Sequence, residues 1–236
     1  MYKALEQTLD DLHNDKAVRG VIFRSALDRD IYTAGNDINA LFAPRTTLAR
    51  YREYLVISNR FLAKLLSSPL VTVAAIKGAC PAGGCVLALC CDYRIMKSGS
   101  IGLNEVALAI PVPAYWARLM SSAIGEGEAY RMCTLARQIP ASRALQIGLI
   151  DEIHEDVDAQ ARRFMNETLK LPDVGRIATK MSFRQSLAQE MGDEKRLAKE
   201  ADQSWDKFSS KETVAILTAV MAKLSKKGKR KADGKL

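Results

Sequence analysis

Histidine is nearly missing from this chain, with two among 236 residues, His13 and His154. A Ser-His-Asp or Cys-His catalytic arrangement therefore has little raw material. Both are expected in bland surface roles, His13 on a polar helix face and His154 among acids after a strand. No His/Cys group stands at metal-ligand spacing, so no metal site is expected. Neither GxxxxGK[ST] nor GxGxxG occurs, which leaves phosphoryl transfer on a P-loop without support. Aromatics make up only 6% of residues, so the core is expected to be aliphatic. No apolar run reaches the roughly 20 residues a bilayer-spanning helix requires, and no membrane span is expected. No secretory signal is read at the start, which opens directly on the amphipathic stretch Met1 to Leu12.

What is present is a chain 48% hydrophobic and 26% charged, the composition of one medium globular domain with or without a small appendage. None of the five cysteines forms a CxxC pair, and Cys80, Cys85, Cys90 and Cys91 fall in one apolar stretch. That suits small buried hydrophobes in a reduced protein better than a disulfide framework. The formal net charge is +8, with much of the excess near the end, at Lys223, Lys226, Lys227, Lys229, Arg230, Lys231 and Lys235. Such a run is expected to be a solvated tail; attraction of nucleic acid or of a ligand with several phosphates is the functional alternative.

Along the chain, Leu5, Leu9 and Leu12 recur at helical spacing, predicting a helix over 3–14. Val18 to Phe23 reads as a buried strand, and Tyr32 to Asp37 as a loop. Residues 47–67 carry a long helical pattern stopped by Pro69. Val71 to Ile76 is wholly apolar, as in a strand covered on both faces. A Gly-rich turn, Lys77 to Gly84, leads into an apolar helix, Cys85 to Cys90. Tyr93 to Met96 is a further strand, and Ile101 to Ile110 a strand or loop holding one acid, Glu105. Helical patterns follow at 114–123, 126–135 and 141–147, then a short strand, Leu149 to Ile153. From about 156 to 224 the pattern is almost wholly helical. Strands alternating with helices and then a helical end predict an α/β core with a helical C-terminal module. The divisions are 1–155, 156–224 and a basic tail over 225–236.

Three local features can carry chemistry. Pro81-Ala82-Gly83-Gly84 opens a helix, so its backbone can approach a ligand closely and present unpaired N–H groups at the positive end of the dipole. The loop Ala34-Gly35-Asn36-Asp37 follows a buried strand in the same way. Glu105 lies among aliphatic residues, where desolvation raises a carboxyl pKa toward that of a general base working near neutrality. Each also has an ordinary reading: a packing turn, a simple loop, an exposed or hydrogen-bonded Glu at a strand end.

Together these residues resemble a family. Ala34-Gly35-Asn36-Asp37-Ile38 resembles the AGxDL segment of the crotonase (enoyl-CoA hydratase/isomerase) superfamily. Val73 to Cys85 resembles its central strand, turn and helix; Cys91-Asp92-Tyr93-Arg94-Ile95 its CDYR strand; and Ala141 to Asp151 its A..A...GLVD segment. The resemblance implies a ββα spiral core with a C-terminal helical module supporting a homotrimer or hexamer. The first strands of the family are not matched, which leaves an exposed sheet edge as an expectation. It implies an acyl-CoA substrate, with coenzyme A arriving as part of that substrate and no separate cofactor. The implied oxyanion donors are the N–H groups of Asn36 and Gly83. Ala34, Gly35, Asp37, Ile38, Gly84, Leu108 and Trp116 are the implied substrate-binding residues, and Glu105 the catalytic acid/base. The position that carries a second glutamate in hydratases is Val86 here. One carboxylate is the pattern of the mitochondrial-type 3,2-enoyl-CoA isomerases, and no further acid is evident for a dienoyl-CoA isomerase. The alternatives are a hydratase-like enzyme and an inactive RNA- or CoA-binding relative, nucleic acid being the less expected partner. The family implies the mitochondrial matrix; the ending Gly234-Lys235-Leu236 loosely resembles a peroxisomal address instead.

Overall fold

The computed structural model describes residues 1–232. The helix α1 (Tyr2–Asn14) is followed by strand β1 (Gly20–Arg24), a short helix α2 (Ile38–Leu41) and the long helix α3 (Leu48–Leu66). Then come β2 (Val71–Ile76), β3 (Cys80–Pro81), α4 (Gly83–Cys90), β4 (Tyr93–Met96) and β5 (Ser100–Gly102). A 3-10 turn over Glu105–Leu108 leads to α5 (Ala114–Ile124), α6 (Glu126–Thr134), β6 (Ile139–Pro140), α7 (Ala141–Gln146) and β7 (Glu152–Ile153). Four helices finish the described chain: α8 (Val157–Thr168), α9 (Asp173–Met191), α10 (Glu194–Phe208) and α11 (Lys211–Ala232).

The main sheet is parallel throughout, in the order β1-β2-β4-β7, so β1 forms one edge. Its central strand β2 is buried at every position, which explains the unbroken apolar run Val71 to Ile76. Val71, Val73 and Ala75 face the layer formed by Val157, Ala161 and Met165 of α8. Ala74 and Ile76 face the larger core of α1, α3, α4 and α5. A second, three-stranded sheet, β3-β5-β6, stands beside it.

The Cys91-Asp92-Tyr93-Arg94 segment has a structural use. Asp92 accepts from the backbone N–H of Thr72 at 2.9 Å and from Lys180 Nζ at 2.8 Å. Its other oxygen lies 3.0 Å from Arg184, which also donates to the carbonyls of Cys90 and Cys91. Those carbonyls end α4 and have no partner within the helix, so α9 caps α4 from outside. Arg94 pairs with Asp151 at 2.8 Å, tying β4 to the turn before β7. The Lys180 side chain is only 7% exposed, so removing its counter-charge leaves a buried cation unpaired. Asp92→Asn is therefore expected to destabilise the fold by about 3–5 kcal/mol, read as a lowered urea midpoint with an unchanged slope.

The C-terminal helices pack on their own chain. Leu197 joins the main core, while Ala201, Phe208 and Leu217 form a cluster with Phe42, Tyr51 and Ile110. The ring of Phe208 lies 4.8 Å from that of Tyr51. Two expectations change. The last helix crosses the boundary drawn at 224 and runs on to Ala232, because the segment is rich in strong helix formers and contains no proline. His13 is not a bland surface group: its Nε2 meets Ser68 Oγ at 2.8 Å. The ending Gly234-Lys235-Leu236 lies outside the described residues.

Candidate active site

Three chain segments run parallel and side by side, and each delivers one loop at its carboxyl end. Ile31 bridges Ala79 in parallel, and Tyr32 N–H donates to Ala79 O at 3.0 Å. Cys80-Pro81 pairs in parallel with Ile101-Gly102, and Ala82 N–H donates to Gly102 O at 2.8 Å. The loops that follow are Ala34-Gly35-Asn36, Ala82-Gly83 and Asn104-Glu105. The carboxyl ends of parallel strands are where open α/β sheets collect their ligands, because the loops there diverge and leave a crevice.

The first two loops touch. Gly35 has φ +86°, a left-handed conformation that suits glycine, and a Cβ there would lie 3.1 Å from both Ala82 Cβ and Pro81 O. The Asn36 carboxamide stands over Gly83, where a Cβ would lie 2.2 Å from Asn36 Oδ1. Ala82 itself has φ +53° and ψ −129°, a conformation costing a non-glycine residue on the order of 1–3 kcal/mol. Such strain persists only where the surroundings enforce it, and here it starts α4. Among the described residues no acceptor takes the backbone N–H of Asn36 or of Gly83.

The loops open on a cleft of about 550 Å³. Its wall includes Ala34, Asn36, Ile38, Glu105, Leu108 and Trp116, all singled out from the sequence. The other four contribute no side chain to that wall. Gly35 and Gly83 shape the two loops, and Gly84 backs onto the methyl of Thr33. Asp37 turns away to cap α2, accepting from the N–H of Asn39 at 2.9 Å. Trp116 has two uses: it lines the cleft, and its indole N–H donates to the buried Asn59 Oδ1 at 3.0 Å.

Glu105 is 5% exposed, and neither carboxyl oxygen has a hydrogen-bond partner among the described residues. Burial favours the neutral acid and outweighs the local backbone, and its pKa is raised to about 7. Val86 is fully buried in the apolar core. The remaining buried polar atoms without partners include Tyr54 Oη, Tyr115 Oη and Asn104 Oδ1, all from residues of the same cleft. Buried polar atoms are normally satisfied, so this concentration marks a place built for something other than protein.

Sequence reasoning missed the far wall. Helices α10 and α11 contribute Glu200, Gln203, Ser204, Lys207, Phe208 and Val220. In sequence these belong to an unremarkable helical pattern; the packing of α10 on α3, and of α11 on α10 and the Glu105–Leu108 turn, brings them to the cleft. Glu200 is a second acid there, but Arg196 donates to its carboxylate at 2.7 Å, so its charge is already engaged.

The family model described as enoyl-CoA hydratase/isomerase matches residues 1–226, and the chain belongs to that family. The mouse mitochondrial enoyl-CoA delta isomerase 1 is 36% identical over 213 residues, covering 88% of this chain and 71% of that protein. Its human counterpart is 35% identical over 214 residues, covering 88% and 68%. The crystal structure of human mitochondrial delta3-delta2-enoyl-CoA isomerase superposes with a TM-score of 0.85 at 32% identity, over 96% of this chain and 88% of that one.

Proposed function

We infer that the chain is an enoyl-CoA isomerase of fatty-acid β-oxidation, shifting the double bond of a 3-enoyl-CoA to the 2-trans position. The observation that carries this is Glu105: a buried, unpartnered carboxyl with a pKa near 7, facing an apolar cleft in which the other acid is ion-paired. Ionised Glu105 removes a proton from C2. The electron pair moves through the thioester carbonyl to give a dienolate, whose oxygen accepts from the N–H groups of Asn36 and Gly83. Gly83 opens α4, so the positive end of that helix faces the new charge. Protonated Glu105 returns the same proton at C4, and the double bond comes to rest between C2 and C3. Hydration needs a second group to activate water, and Val86 has none to offer. The apolar wall from Ile38 to Trp116 suits an acyl chain.

The test is incubation with a 3-enoyl-CoA, followed by the absorbance of the conjugated 2-enoyl thioester. Because the ionised form of Glu105 is the base, kcat/KM is expected to fall about tenfold per pH unit below about 7 and to level off above it. A flat profile between pH 5 and 8 would sink the assignment.

Two further readings accompany this one. A homotrimer or hexamer is supported by Val174 and Phe183, 86% and 84% exposed on α9, and sedimentation would test it. A mitochondrial matrix location is supported by relatives named as mitochondrial, and imaging of a tagged full-length protein tests it.

A further inference from the structure

We propose that Tyr2 is a positioning residue for the oxyanion hole, acting through the side chain of Asn36. The inference rests on the isomerase reading above. Tyr2 Oη donates to Asn36 Oδ1 at 2.9 Å, across 34 residues of sequence. That same carboxamide is the group standing over Gly83. One hydroxyl on the first helix therefore braces the contact between the two loops that hold the oxyanion donors.

The brace is itself held rigidly. The Tyr2 ring packs edge-on against Tyr54, centroids 6.1 Å apart, and at a tilt against Phe61, 5.9 Å away. Phe61 is fully buried in α3, so the ring is anchored to the core and not only to the end of α1. Burial pushes the Tyr2 phenol up to about 12, so it remains a donor across the working pH range. The loop it steadies needs such a contact. Gly35 is left-handed, and the backbone after it lies outside regular structure until α2 begins at Ile38. A glycine loop left alone samples several conformations, and an oxyanion hole works only when its donors are already aligned.

Tyr2→Phe removes the hydroxyl and keeps the ring. With a 3-enoyl-CoA, kcat is expected to fall about tenfold, since small displacements of a donor are costly, while KM stays within about twofold. The pH midpoint should remain near 7, because Glu105 is untouched. In an Asn36→Leu background, which keeps the backbone N–H but not the carboxamide, Tyr2→Phe should have no further effect. Acetoacetyl-CoA supplies a readout independent of turnover: the fraction bound as its enolate, seen in the near ultraviolet, should fall in Tyr2→Phe. Wild-type kcat in Tyr2→Phe, or the same loss in both backgrounds, overturns the proposal; the second result would mean that Tyr2 acts through packing. Absence of wild-type turnover would instead remove the isomerase reading. Acetoacetyl-CoA would then decide alone, and an unchanged enolate fraction in Tyr2→Phe would overturn the brace.

Discussion

Glu105→Gln is expected to lower kcat on a 3-enoyl-CoA by about 10²- to 10⁴-fold, with KM little changed, the range of a lost general acid/base. The substitution keeps the shape and removes only the capacity to carry a proton between C2 and C4. A second effect follows from the burial of the carboxyl. Its folded pKa, about 7, stands above the ordinary 4.5, so the fold prefers the protonated form. The native state then binds more protons than the unfolded state between those values, and stability falls as pH rises from about 4.5 to about 7. Above that the loss is complete, worth up to about 3 kcal/mol. Gln carries no such titration. Melting curves at pH 5 and pH 8 should show the wild type losing several degrees relative to Glu105→Gln. Equal pH dependence of the two proteins would mean that Glu105 is solvated in the native state and is not a tuned base. The expected gain in stability on losing activity is the trade found where a site holds an uncompensated group for its chemistry.

Gly83→Ala is expected to lower kcat by about 10²-fold, as removal of one oxyanion donor does. The new methyl would lie 2.2 Å from Asn36 Oδ1 and 2.8 Å from Asn36 Cγ, so the carboxamide must move. Because Tyr2 also holds that carboxamide, the shift passes into the loop that presents the Asn36 N–H. Gly83 is not among the positive-φ glycines, so backbone strain does not contribute and the loss reports the collision alone. Substrate affinity should change far less than kcat, because the contact is made chiefly to the developing enolate oxygen. A matching rise in KM with kcat unchanged would show that Gly83 shapes substrate binding and not the oxyanion hole.

Much of this fold is legible without coordinates. The strand Val71–Ile76 falls where a continuous apolar run predicts it, Tyr93–Met96 is a strand as expected, and α1, α3 and α5 match their 3.6-residue periodicity to within one or two residues. The helices are long and β2 is wholly apolar, so their local pattern and their burial agree. The strands β3 and β6 were not legible, because two-residue pairings are made by their partners and not by propensity. Glu105 sits on a 3-10 turn where a strand or loop was expected, since Gly102 leaves β5 and the backbone tightens before Pro111.

By itself the sequence determined the order of the longer elements, the lone carboxyl in an aliphatic setting, the glycines able to bare a helix start, and the family. Those are properties of residues and of their near neighbours. Only the tertiary structure decided that three parallel segments end side by side and bring residues 34–36, 82–83 and 104–105 together. It also decided that α10 and α11 close the cleft and that Tyr2 reaches Asn36. The reason is physical: strand pairing and helix packing join residues far apart in the chain, and burial, which raises the Glu105 pKa, belongs to the assembled core and not to any segment of it.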